Sequence, residues 1–100
     1  TELGDVHGQA LTWDSLGRAQ HHLGRHARAV ECYRTAIEMH GESGSEHYAA
    51  DSQLHLGDAY AAAGDPEAAR AVWRDALAVL RRLGTPGASA VRERLARLGW

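Results

Sequence analysis

Along the chain, apolar and small residues recur at three- and four-residue steps, the spacing of one face of a helix. Trp13, Leu16, Gly17, Gln20 and Leu23 mark one such stripe, and Ala29, Tyr33, Ala36 and Ile37 mark the next. The pattern then returns as Leu56, Gly57, Tyr60 and Ala63, followed by Ala69, Trp73, Ala76, Leu77 and Leu80. Each stripe needs a neighbour to face, so each pair of stripes predicts a helical hairpin. Gly24 and Gly64 close the first helix of each pair, where a left-handed backbone suits glycine. Asp65 before Pro66 reads as an N-cap followed by a first-turn proline, and Thr85 before Pro86 repeats the device. Asp5 and Ser45 are the corresponding caps upstream. The punctuation predicts helices over 6–23, 26–40, 46–63, 66–83 and 87–98.

The pattern repeats with a period of 40 residues. A shift of that length lays Gly4 on Gly44, His7 on His47, Ala10 on Ala50, Leu16 on Leu56, Gly17 on Gly57 and Ala19 on Ala59. It continues through Gly24 and Gly64, Ala29 and Ala69, Arg34 and Arg74, and Ala36 and Ala76. A second shift lays Gly44 on Gly84 and Ala50 on Ala90, so a third unit opens before Trp100. In that unit the register puts Glu93 and Arg97 where Trp13 and Gly17 stand, and such charges do not belong in a core. Its own apolar stripe is Val91, Leu95 and Leu98. The last helix is therefore expected to cover the second hairpin at Leu77 and Leu80, with Arg92, Arg94 and Arg97 on the solvent side and rim.

Composition narrows the function. One hundred residues make one small domain with little room for a deep active site. No apolar run approaches the ~18 residues of a membrane span, so no membrane partner is expected. The formal charge is -2 with both signs interleaved, which leaves no basic stripe for phosphates and argues against direct nucleic-acid binding. Cys32 is the single cysteine, so no internal disulfide can form, and a reducing compartment or a silent buried thiol is the plain reading; the setting is expected to be cytoplasmic. Every basic residue is arginine and alanine is abundant, the bias of GC-rich codons, which points to a high-GC bacterial source. The chain opens at Thr1 without a methionine or signal segment, and is expected to be a piece of a longer protein.

Seven histidines are the unusual chemical feature. His22 and His26 have the i, i+4 spacing that can pair two imidazoles on a metal, but Leu23 and Gly24 lie between them at a helix end. No HExxH or CxxC motif accompanies them, so neither a metal nor another cofactor is expected. Cys32 and Ser15 are nucleophiles by residue type alone, in no catalytic motif. Cys32 precedes the core position Tyr33, where a cysteine acts as a small hydrophobe. No catalytic residue is assigned and the chain is not expected to be an enzyme.

The repeated residues resemble the tetratricopeptide pattern, W-x2-L-G-x2-Y followed by A-x3-F and a small residue. Here it stands as Trp13, Leu16, Gly17, Gln20, Ala29, Tyr33 and Ala36, then as Gln53, Leu56, Gly57, Tyr60, Ala69, Trp73 and Ala76. The resemblance implies an all-α, antiparallel helix-pair solenoid: two tetratricopeptide-like hairpins and a C-terminal capping helix in one domain. Repeat one spans about 5–41, repeat two about 45–83, and the capping helix about 86–99. The departures are a period of 40 instead of ~34, no proline after the second helix at Gly41 or Arg81, and Gln20 at an aromatic position. The longer period with Gly4, Asp5, Gly8 and Ala10 is similar to a longer subtype with a G-D-x-x-G-x-A run, which resembles the C-terminal arrays of large bacterial nucleotide-switch transcriptional regulators.

In this family the first helix of each pair lines a concave face. Carried onto this chain, the lining positions are Leu11, Asp14, Arg18, His21 and His22, then Asp51, Leu54, His55 and Asp58. Chaperone-binding members hold a peptide's terminal carboxylate with lysines and asparagines there. This chain has neither residue, and Asp14, Asp51 and Asp58 are expected to repel a carboxylate. The resemblance implies a non-catalytic scaffold that binds a protein or peptide segment, or that packs against its own parent chain. The narrower alternative is the sensor end of a bacterial transcriptional regulator, restraining a nucleotide switch. An alternative from another class is a small histidine-based metal or hydrolytic unit. Self-association of the isolated fragment through its truncated N-terminal hairpin at high concentration is a further expectation, an effect of the cut and not the native assembly, because nothing upstream of Leu3 would cover Leu11 and the outer side of the first pair.

Overall fold

The structure is a computed structural model; it describes residues 2–98, with side chains from residue 6 onward. Five helices follow one another: α1 Glu2–His22, α2 His26–Glu42, α3 Glu46–Ala62, α4 Pro66–Leu83 and α5 Gly87–Arg97. Each packs against the next, and α1 also meets α3. This is the stacking of an antiparallel helix-pair solenoid. The described residues contain no strand.

The four turns share one device. Gly24, Gly44, Gly64 and Gly84 all have φ between 68° and 86°, a conformation that costs other residues a Cβ clash. After each glycine the next amide reaches back to the helix just ended: Arg25 N–H donates to Gln20 O, Ser45 to His40 O and Asp65 to Tyr60 O at 2.9 Å, and Thr85 to Leu80 O at 3.1 Å. The glycine amide bonds one residue further on, as at Gly24 N–H to His21 O. Two otherwise unpaired carbonyls are satisfied each time.

The predicted caps fare differently. Asp65 caps α4, accepting from Ala68 N–H at 3.2 Å, with Pro66 in the first turn. Ser45 occupies the cap position of α3 but makes no side-chain cap bond; its Oγ accepts from Ser43 Oγ instead. Asp5 lies inside α1, so it is not a cap, and its side chain falls outside the described residues. At α5 the cap position is taken by Pro86, one residue beyond the expected Thr85.

Small residues set the distance between paired helices. Gly17 faces the ring of Tyr33, and an added Cβ would sit 2.7 Å from it. Forty residues on, Gly57 faces Trp73, whose indole an added Cβ would overlap. Ala29, Ala36, Ala69 and Ala76 are fully buried beside these rings. Ala29 and Tyr33 of α2 form a cluster with Leu56 and Ala59 of α3, which joins the first hairpin to the second. A larger cluster of Trp73, Leu80 and neighbouring alanines is closed by Ala88, Val91 and Leu95 of α5.

Candidate functional site

The first helices of the two pairs, α1 and α3, meet, and α5 packs on α4 at the far end of the stack. On α1, Asp14, Arg18, His21 and His22 fall about one turn apart, so they share one strip of helix surface. Asp51, His55 and Asp58 form the matching strip on α3. The 40-residue offset sets these strips side by side, and side chains bridge them.

Asp14 is the centre of the first bridge. Ser52 Oγ donates to its Oδ1 at 2.8 Å, and His55 Nδ1 lies 3.1 Å from the same oxygen. Burial alone would push this carboxyl up, but the His55 hydrogen bond and charge, helped by Ser52 and Arg18, hold it below its ordinary value of 3.8. Asp58 makes the second bridge: Arg94 of α5 grips it with two nitrogens, at 2.6 and 3.2 Å. Arg94 therefore does not share the solvent rim with Arg92 and Arg97, as its place in the sequence suggested. It ties the last helix to the groove.

These two bridges change the electrostatics expected of the groove. Asp58 is paired with the Arg94 guanidinium, which offsets its repulsion toward a carboxylate, whereas Asp14 is hydrogen-bonded and keeps its charge. Asp51 is met by His47 one turn earlier, at 3.5 Å. Arg18, Arg97 and the imidazole of His22 remain exposed, and the imidazole of His21 is half-buried. Arg18, His21, His22, Tyr33, His55 and Asp58 enclose a hollow of about 170 Å³. A second hollow of about 400 Å³ continues from His21 and Asp58 to Ala61, Trp73, Arg94, Arg97 and Leu98. Together they make one polar channel floored by two aromatic rings.

Six of the nine expected lining residues meet in this channel or bridge to it: Asp14, Arg18, His21, His22, His55 and Asp58. Leu54 does not, because its side chain packs against the core cluster around Trp73 while its carbonyl accepts the Trp73 Nε1–H at 3.0 Å. Leu11 lies exposed one turn before Asp14, outside both hollows. Asp51 is turned toward His47. Arg94, Ser52 and Tyr33 belong to the site and were not anticipated. Asp14 is 38 residues from Ser52, and Asp58 is 36 from Arg94, so each bridge spans close to one repeat.

Six of the histidines sort into two groups. His21, His22, His26 and His55 lie near the channel, with His21 and His26 ring centroids 5.1 Å apart. Burial, and then the His26 charge, push the His21 pKa down, while Asp58 opposes. At the other end His40, 1% exposed, stacks on Tyr48 at 5.5 Å, and His7 meets both rings. Burial followed by the His7 charge lowers the His40 pKa. The spacing-suggested pair His22 and His26 spans the Gly24 turn. Among the described residues no three histidine, cysteine or acidic side chains are arranged to hold a metal ion.

Cys32 is 6% exposed, and burial raises its pKa, the opposite of what activates a nucleophilic thiol. Among the described residues no helix is long and apolar enough to cross a membrane.

Stacked helix pairs with glycine and alanine at their crossings define a repeat protein of the helical solenoid class. The family model described as Tetratricopeptide repeat matches residues 8–82, and the chain belongs to that family. No curated protein and no solved structure gives a significant match. Repeats of this family generally mediate protein–protein interaction and are typically non-catalytic.

Proposed function

We propose that this chain holds a protein or peptide segment along the channel between α1, α3 and α5, the segment coming from a partner or from its own parent protein. The observation that carries the reading is the internal pairing of Asp14 and Asp58. With those carboxylates bound by His55, Ser52 and Arg94, the channel wall is preorganised, and it presents Arg18, Arg97 and two imidazoles to a visitor. Rigid polar walls over aromatic floors suit an extended segment that supplies backbone groups and acidic side chains. The narrower version is the sensor end of a bacterial transcriptional regulator, in the cytoplasm. It is favoured by the 40-residue period, kept by glycines at 24 and 64 and at 44 and 84, and by the Gly4, Asp5, Gly8 and Ala10 run. Two tetratricopeptide units over 5–41 and 45–83, closed by a helix over 86–99, are the domain plan that accompanies it.

The test is a random-peptide selection on the immobilised chain, followed by titration of the selected peptides. Arg18→Glu should weaken them by about tenfold or more, as loss of a central charged contact does. Glu42→Ala, at the exposed end of α2, should leave them unchanged. Equal affinities for both variants would contradict the reading.

A further inference from the structure

We propose that the channel binds its segment with uptake of protons: a side-chain carboxylate of the segment enters the hollow between α1 and α3, and the imidazoles lining that hollow take up the charge that holds it. The segment is then held more tightly as pH falls from about 8 to about 6. This rests on the channel reading above, and names the group that enters and the condition that holds it.

The charges around the hollow are few. Its wall is Arg18, His21 and His22 of α1, Tyr33 of α2, and His55 and Asp58 of α3. The chain has no lysine, so its fixed side-chain cations are arginines. Asp58 is matched by Arg94, which leaves Arg18 as the fixed cation of the lining. Asp14 keeps its charge outside the lining and reaches it through His55, whose Nδ1 is 3.1 Å from the carboxylate. The ring nitrogen that His55 can offer a visitor is therefore Nε2. A carboxylate entering here meets one guanidinium, one carboxylate in the background and three imidazoles. Attraction is decided by the imidazoles, which are cations only when protonated.

His21 shows most plainly what a visitor would change. Its Nδ1 and that of His26 are buried with no hydrogen-bond partner among the described residues. The two rings lie 5.1 Å apart, and His22 lies 6.4 Å from His21. Burial, and then the His26 charge, press the His21 pKa below 6.5; His22 and His55 add to this and Asp58 opposes it. Arg94 and Arg97 of α5 line the adjoining hollow with the same ring. Tyr33, 5.7 Å from His55, stays neutral because burial pushes its pKa up. In the unbound chain His21 is thus uncharged at neutral pH, among groups that discourage its charge. A carboxylate against the ring supplies the opposite charge that favours the proton. The protonated ring then donates from both nitrogens, where the neutral ring donates from one.

Linkage fixes the direction. A bound state that holds more protons than the unbound one gains affinity as pH falls, by up to about tenfold per pH unit for each proton fully taken up. The slope lies between the lowered pKa of His21 in the unbound chain and its higher value beside the carboxylate. Above that window neither state is protonated, and below it both are. A groove that held the same carboxylate with lysines or arginines alone would show no slope there, because those cations keep their charge. Near about pH 4.3 a glutamate itself takes a proton, and the hold falls again.

The test titrates the full chain with a glutamate-containing peptide selected on it, by calorimetry at about pH 6.5 in two buffers of different ionisation enthalpy. The difference in heat should report net proton uptake, and affinity should rise about fivefold or more from pH 8 to pH 6. Changing the peptide's glutamate to glutamine should remove both effects. A double variant, His21→Gln with His22→Gln, should lower the uptake and flatten the pH profile, with an unchanged helical circular dichroism signal showing that it folds. No uptake, uptake that persists with the glutamine peptide or in the double variant, or selected peptides that lack an acidic residue would overturn the proposal. Uptake removed by amidating the peptide's C-terminus, and not by the change to glutamine, would give the role to a terminal carboxylate and overturn the side-chain assignment. Failure of the channel reading looks different: Arg18→Glu would then leave the affinity unchanged at every pH.

Discussion

Leu16 and Leu56 hold the same place in two copies of one repeat, with a glycine after each and a large ring opposite that glycine. One is 42% exposed and the other 5%. The contrast separates two kinds of packing. Within a hairpin, the crossing is fixed by its own residues, so both copies build it alike. Between hairpins, burial depends on a neighbour, so identical residues end in different surroundings.

The largest effect should come from breaking the covered copy. Leu56→Ala removes a side chain held between α2 and α4 and should cost about 3 kcal/mol, whereas Leu16→Ala should cost about 0.5 kcal/mol. Urea midpoints of the two variants check this. Equal losses would mean that the hairpins do not stack as described.

A smaller difference is expected at the crossings. Gly57→Ala drives a methyl into the Trp73 indole, which is pinned by its bond to the Leu54 carbonyl. The overlap, at about 3 kcal/mol, outweighs the ~1 kcal/mol that alanine gains over glycine in a helix, leaving a net loss of about 2 kcal/mol. At Gly17 the neighbour is the edge of the Tyr33 ring, which makes no comparable bond among those described, so the net loss should be nearer 1 kcal/mol. Thermal midpoints of Gly17→Ala and Gly57→Ala sharpen the comparison, and a larger loss at Gly17 would contradict it.

Much of this framework can be read directly from the chain. The glycines at 24 and 64, the alanines at 29 and 69 and the aromatics at 33 and 73 state the period, the turns and the crossings, because each acts through its immediate helix. The site is harder to read. Asp14 finds Ser52 and His55, and Asp58 finds Arg94, only once the repeats are stacked, and a charged residue shows no preference until its partner is known. Leu54 misled for a related reason. Its place on the first helix of a pair suggests the groove, but the width of Trp73 beside Gly57 draws it to the core. Thr85 followed by Pro86 looked like a cap, and the chain turned one residue later.

The two histidine groups should give the smallest effect, a pH dependence of stability. The folded pKa values of His40 and His21 lie below the ordinary 6.5. In the unfolded chain these imidazoles take a proton near that value while the folded ones resist, so the unfolded state binds more protons as pH falls. Stability is therefore full above pH 6.5 and declines below it. Asp14, lowered from 3.8, adds a loss of the same sign at still lower pH. Thermal midpoints should fall between pH 7.5 and 5, and His40→Phe, which keeps the ring beside Tyr48, should reduce that slope. An unchanged slope would remove His40 from the account.

The central claim is that a bound segment lies in the channel and not on the outer face of the first hairpin. The most direct measurement is an amide NMR titration of the chain with a peptide selected on it. The account predicts shifts concentrated at Arg18, His21, His22, His55 and Asp58, with Trp13, Leu16 and Cys32 unmoved. Shifts centred on Trp13, Leu16 and Cys32, with the channel residues silent, would contradict it.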